Sequence, residues 1–140
     1  MISTDKIKNV CLLSHGNAGK TTLCEAMLFE TKAIERKGSI LDGNTVSDYD
    51  AEEIKRQTSI NSSVIPIMWK DHKINLIDSP GYFDFVGEQI QAVTAADGAV
   101  IVVSGKSGVS AGTEKAWDLA KAHGIPVVFF VNKNDSPKAD

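Results

Sequence analysis

Two five-residue runs, Ala99–Val103 and Val127–Val131, contain no polar side chain. A strand that is apolar at every position offers hydrophobic surface to both sides and must be covered on both. Segments patterned for a helix precede each run: Gly87–Ala96 and Thr113–His123, the second closed by Gly124 and Pro126. Fully apolar strands alternating with helices specify an α/β fold, a mostly parallel sheet with helices on both faces.

The N-terminal half adds a variation. Ile7–Leu13 reads as a strand, and Thr21–Lys32 as a helix with Leu23, Ala26, Met27 and Glu30 at helical spacing. Asn61–Trp69 is rich in β-branched and apolar residues but contains Pro66, which cannot donate to a ladder, so it is expected at the sheet edge. The turn Lys70-Asp71-His72 then leads into a strand over Lys73–Ile77, a hairpin that makes the edge strand antiparallel. Between Ala33 and Ile60 the pattern dissolves. The charged run Glu52–Arg56 reads there as a solvated face.

A chain of 140 residues suits one domain. With 42% hydrophobic and 24% charged residues it has the composition of a packed globular protein, and a net charge of -3 argues against a basic nucleic-acid footprint. Cys11 and Cys24 stand in apolar surroundings without metal-ligand spacing, so both are expected as small buried hydrophobes in a reducing compartment. The N-terminus lacks an apolar signal region and no run is long enough to span a membrane, which makes a cytoplasmic location the default expectation.

Chemistry concentrates in Ser14-His15-Gly16-Asn17-Ala18-Gly19-Lys20-Thr21-Thr22, between a predicted strand and a predicted helix. It fits the phosphate-loop pattern G-x-x-x-x-G-K-[ST], with Ser14 at the first glycine position. Small residues let successive backbone N–H groups face one anion, and the helix N-terminus adds positive potential. Lys20 is expected to reach the β- and γ-phosphates and Thr21 to hold Mg²⁺.

Two later clusters bear on which nucleotide is bound. Asp78-Ser79-Pro80-Gly81 ends an apolar strand, where open α/β sheets bind ligands; Asp78 is placed for the metal shell and Gly81 for a backbone N–H to the terminal phosphate. The same four residues also make an ordinary turn. Asn132-Lys133-Asn134-Asp135 follows the last apolar strand, and the Asp135 carboxylate can accept both the N1–H and the N2–H₂ of guanine, a donor pair that adenine lacks.

With these residues the chain resembles the GTP-binding domain of translation factor GTPases, most closely elongation factor G. The resemblance covers His15–Thr22, Asp78–Phe85 and Asn132–Asp135. It extends to Trp69-Lys70-Asp71-His72-Lys73-Ile74-Asn75, where no catalytic duty is expected. It implies GTP and GDP as substrate and product, Mg²⁺ as cofactor, the ribosome as partner and no membrane partner.

By the same resemblance Ser59 stands where the family has the threonine that closes over Mg²⁺ and the γ-phosphate, with Thr58 as the competing candidate. Asn17 replaces an aspartate. Tyr82 replaces the histidine that orients the attacking water, which implies slower intrinsic hydrolysis and a divergent paralogue. Lys20, Gly81 and Tyr82 are thus the expected catalytic groups; Thr21, Ser59 and Asp78 the metal ligands; Asn132, Lys133 and Asp135 the guanine site.

His15 is expected to pack beside the loop, His72 in a turn and His123 at a helix end. Trp117 is expected in the core and Trp69 at the hairpin end. Two other readings stay open: a domain fragment that binds nucleotide weakly or not at all, and a P-loop ATPase or kinase in which Asp135 is only a turn residue. Residues 1–140 are expected to form one partial GTP-binding domain, since the resemblance implies a further strand and helix after Asp135. Val127–Val131 is then a sheet edge with part of one apolar face uncovered, a surface for a partner or for self-association.

Overall fold

The computed structural model describes residues 2–137 and 139. The element order is β1 (Ile7–Ser14), α1 (Lys20–Glu30), α2 (Ala51–Arg56), β2 (Ser63–Trp69), β3 (His72–Asp78), α3 (Val86–Ala95), β4 (Gly98–Ser104), α4 (Ala111–Ala122) and β5 (Val127–Asn132). The five strands lie in the order β2-β3-β1-β4-β5. β1 pairs in parallel with both β3 and β4, and β4 with β5, while β2 runs antiparallel to β3. This is the α/β arrangement expected from the doubly apolar runs, with its single antiparallel edge strand.

Alternation along the central strand β1 divides the core in two. Cys11 and Leu13 pack with Ala92, Val93, Ala116 and Ala120 beneath α3 and α4. Leu12 points the other way and packs with Cys24 and Leu28 of α1 and Ile65, Ile67 and Leu76 of the hairpin. Both thiols are free and buried, as expected of small hydrophobes. Burying each Leu side chain of this kind stabilises the fold by about 1.5–3 kcal/mol.

Pro66 lies in β2 opposite Asn75, on the edge strand where its missing N–H is tolerated. The hairpin turn is tighter than the sequence suggested. Lys70 (φ 43°) and Asp71 (φ 65°) alone form the loop, both in the left-handed region as type I′ turns require, and His72 already begins β3 opposite Trp69.

Several expectations need correction. The stretch read as patternless contains α2, whose start is a capping box: Asp50 accepts from the Glu52 N–H at 2.8 Å and Glu53 accepts from the Asp50 N–H at 3.3 Å. Glu53, read as part of a solvated face, is buried, because its Oε1 also accepts the backbone N–H groups of Ile60 and Asn61 at 2.9 and 3.0 Å. In α1 the buried residues are Lys20, Thr21, Cys24, Glu25 and Leu28, while Leu23, Ala26 and Met27 of the expected stripe are only partly buried. Glu25 is held inside by the N–H groups of Gly38 and Val46, at 2.7 and 2.6 Å, an attraction that hydrophobic spacing does not encode.

Trp117, expected in the core, is 42% exposed and stacks on Phe129 of β5 with ring centroids 5.7 Å apart. β5 is the edge strand expected, but Val128, Phe129, Phe130 and Val131 are all exposed, so apolar residues on both faces are uncovered rather than on one. Among the described residues no helix is long and apolar enough to cross a membrane.

Glu53→Ala leaves the Ile60 and Asn61 N–H groups without their acceptor; it should destabilise the protein by about 1–3 kcal/mol in urea unfolding. Hydrogen exchange at residues 58–61 should accelerate before exchange in β1.

Candidate functional site

Because β1, β3 and β5 are parallel, their C-terminal ends open on the same edge of the sheet. The loop 15–19, the segment 79–82 and the turn after Asn132 meet there, where the strand order reverses about β1. A cavity of about 610 Å³ lies at this edge; its lining includes Gly16, Gly19, Lys20, Thr21, Ser59, Gly81 and Lys133.

The loop itself is set by two left-handed residues, Asn17 (φ 62°) and Gly19 (φ 102°), the latter starting α1. Lys20 is buried; its Nζ donates to Ser14 Oγ at 2.8 Å, so the serine at the first glycine position of the pattern holds the lysine in place. From β5, Asn132 Nδ2 donates to the Ala18 carbonyl at 3.0 Å and Lys133 Nζ to the Asn17 carbonyl at 2.6 Å. The strand end thus grips the loop across 114 residues of sequence. Thr22 lines the cavity, whereas the side chain of His15 is turned against Gly112 at the start of α4.

Deeper in the site, oxygen atoms converge. Thr21 Oγ1 donates to Asp78 Oδ2 at 2.8 Å, Ser59 Oγ donates to Asp48 Oδ1 at 2.6 Å, and the two hydroxyl oxygens are 3.3 Å apart. Ser59, not Thr58, makes this contact, although both line the cavity. Asp78 is fully enclosed, and its Oδ1 makes no hydrogen bond of good geometry, although Ser47 Oγ, buried and likewise without one, is near enough to help lower the Asp78 pKa. Burial drives the Asp78 pKa up to about 6, opposed by Lys20 and by the Thr21 hydrogen bond and reinforced by Asp48. Burial likewise raises Asp48, and it lowers Lys20 against the pull of Asp78.

Two buried carboxylates with an unpartnered oxygen, beside two hydroxyls whose protons are already committed, form a hard all-oxygen donor set of the kind Mg²⁺ takes. Among the described residues no three His, Cys, Asp or Glu side chains converge as a metal cage, so a cation here would need donors from a ligand as well.

Gly81 and Tyr82 close this arrangement from β3. A Cβ at Gly81 would stand 2.7 Å from Lys20 Nζ and 3.0 Å from Gly16 Cα, so a side chain here would have to displace the lysine tip and crowd the loop backbone. Tyr82 lies over Gly16, and its hydroxyl accepts from Asn17 Nδ2 at 3.0 Å. Ser79 Oγ donates to the Leu12 carbonyl and Gln89 Nε2 to the Pro80 carbonyl, fixing the segment on β1 and α3. Asp135 sits in the exposed turn after β5 and does not line the cavity. Asp48 and Glu25 tie segment 38–61 to the site without any signal in apolar spacing: Asp48 lies in a stretch with no periodicity, and Glu25 is a charged residue of α1 off its apolar stripe.

Residues 5–140 match the family described as the elongation factor Tu GTP-binding domain. The chain belongs to that family. It is 44% identical to mitochondrial ribosome-releasing factor 2 of Drosophila melanogaster over 137 residues, 98% of this chain but 18% of that protein. It is 41% identical to elongation factor G of Granulibacter bethesdensis over 138 residues, 99% of this chain and 20% of that one.

A crystal structure of a protein from Thermus thermophilus superposes with a TM-score of 0.90 at 43% identity, over 93% of this chain and 20% of that one. A bacterial selenocysteine-specific elongation factor superposes with a TM-score of 0.74 at 26% identity, over the same two shares. The chain therefore spans about a fifth of the length of these elongation factor relatives. Within the GTP-binding domain family, the three strand ends gathered here are the motifs read from sequence.

Asp78 binds its proton more tightly in the fold than in the unfolded chain, whose value is 3.8, so its contribution to stability is complete below about pH 4 and is lost as pH rises to about 6. In Mg²⁺-free buffer, stability should therefore fall across that window. Asp78→Asn should flatten the slope in urea titrations at pH 4, 5 and 6.

Proposed function

We propose that this chain is the GTP-binding and GTP-hydrolysing switch domain of an elongation factor G-like protein that acts on the ribosome, in translocation or a related step. The observation that carries the reading is the double grip on the loop 15–19: Asn132 and Lys133 hold its carbonyls from β5, while Gly81 and Tyr82 close on it from β3. An ordinary strand-to-helix turn has no reason to draw together strand ends so distant in sequence.

In this reading the backbone N–H groups of Gly16 to Thr22, with Asn17, Ala18 and Gly19 at the bend, cradle the phosphates. Lys20 exchanges its bond to Ser14 for the β- and γ-phosphate oxygens. Thr21, Ser59 and Asp78 would hold Mg²⁺, which when bound neutralises charge on the phosphates. Gly81 offers its N–H to the terminal phosphate.

Water attacks the γ-phosphorus in line; the bond to the β-phosphate oxygen breaks, releasing GDP and inorganic phosphate. Tyr82 orients that water, a task to which phenol is less suited than imidazole at neutral pH. Loss of the terminal phosphate releases Ser59 and Gly81, and the ribosome reads the difference. In this reading Asp135 accepts the N1–H and N2–H₂ of guanine, and it is the match to a GTP-binding domain family that favours GTP over the substrate of an ATPase or kinase. Cytoplasm is the compartment it implies.

Calorimetry on the complete protein should show GTP and GDP binding and no comparable ATP binding, and Asp135→Asn should move preference toward xanthine nucleotides; preferential ATP binding would overturn the reading. In single-turnover assays with ribosomes, Tyr82→His should raise hydrolysis by on the order of tenfold or more. A fall would count against the role given to Tyr82.

A further inference from the structure

Asn17 and Tyr82 are two of the positions at which this chain departs from the elongation factor G pattern, and in the fold they touch. Tyr82 Oη accepts from Asn17 Nδ2 at 3.0 Å. The phenol ring lies directly on Gly16: a Cβ there would meet ring carbons at 2.8–3.0 Å. Next to it, Gly81 stands against Lys20 Nζ and the Gly16 backbone, and Lys20 is bonded to Ser14. The backbone carbonyl of Asn17 is meanwhile held by Lys133 at 2.6 Å, so Asn17 is fixed from one side while its amide holds Tyr82 on the other.

We propose that the Asn17–Tyr82 pair is a latch that closes segment 79–82 on the phosphate loop and weakens binding of a nucleoside triphosphate relative to the diphosphate. A third phosphate taken by Lys20 needs room beside its ammonium group, where Gly81 now lies, followed in the chain by Tyr82 with its ring on Gly16. Making that room shifts residues 81 and 82 from their present place against Lys20 and Gly16 to one in which the Gly81 N–H faces the terminal phosphate, and the shift breaks the amide–phenol bond. A diphosphate, ending one phosphate short, leaves the bond intact. Tyr82 is in this sense a specificity-determining residue, separately from any part in orienting water.

The inference rests on the GTP reading above, and the test separates the two. Affinities for GDP and for a non-hydrolysable GTP analogue are measured on the complete protein, wild type, Tyr82→Phe, Asn17→Gly and the double variant. Phe keeps the ring, and Gly removes the amide at a left-handed position without backbone strain. Each single variant should raise the GTP-analogue-to-GDP affinity ratio by about three- to tenfold, the range for a side-chain hydrogen bond.

The double variant should gain no more than either single one, as expected when both remove the same interaction. A wild type that binds both nucleotides with variants that leave the ratio unchanged, or whose effects add, overturns the latch alone. A wild type that binds neither overturns the GTP reading and the latch with it.

Discussion

Lys20, Asp78 and Asp48 are buried together at the end of the sheet, two carboxylates against one ammonium. Removing charges from water costs several kcal/mol each unless they are paired and hydrogen-bonded. Most of the polar architecture can be read as the answer to that cost: Thr21 on Asp78, Ser59 on Asp48, Ser14 on Lys20. One oxygen of Asp78 is left unanswered, and Asp78 keeps a proton up to about pH 6. A centre of this kind is costly as structure and useful as a place to receive a cation and phosphate.

The same logic extends outward along segment 38–61. It has little apolar surface to bury, yet it is held at definite points by Glu25 and Glu53, whose carboxylates between them collect the backbone N–H groups of Gly38, Val46, Asp50, Ile60 and Asn61. Hydrogen bonds to single carboxylates are strong but few. Such a segment can be ordered in one state and released in another without disturbing the two apolar clusters around β1, which is the property a switch requires.

Much of the fold was legible because hydrophobic pattern and turn chemistry agree. The apolar runs became β4 and β5, Pro66 marked the edge strand, and Cys11 and Cys24 took opposite faces of the sheet. Where polar interactions decide burial, the pattern misled. Glu53 and Glu25 are inside because backbone donors reach them, and Trp117 is half outside because it stacks on an uncovered β5. The capping box at Asp50 and Glu53 was a readable signal for α2, hidden in a stretch judged by apolar spacing alone.

By itself the sequence determined the three motifs and their order, because loop chemistry needs particular residues at fixed local spacing: glycine for left-handed backbone, lysine and threonine at the start of a helix, aspartate at a strand end. Only the tertiary structure decided what those motifs do to one another. Parallel pairing about β1 carries Asn132 to Ala18 and Tyr82 to Asn17, residues 114 and 65 apart in the chain. It is burial, a property of the assembled sheet and helices, that turns Asp78 from an ordinary turn carboxylate into one that keeps its proton up to about pH 6.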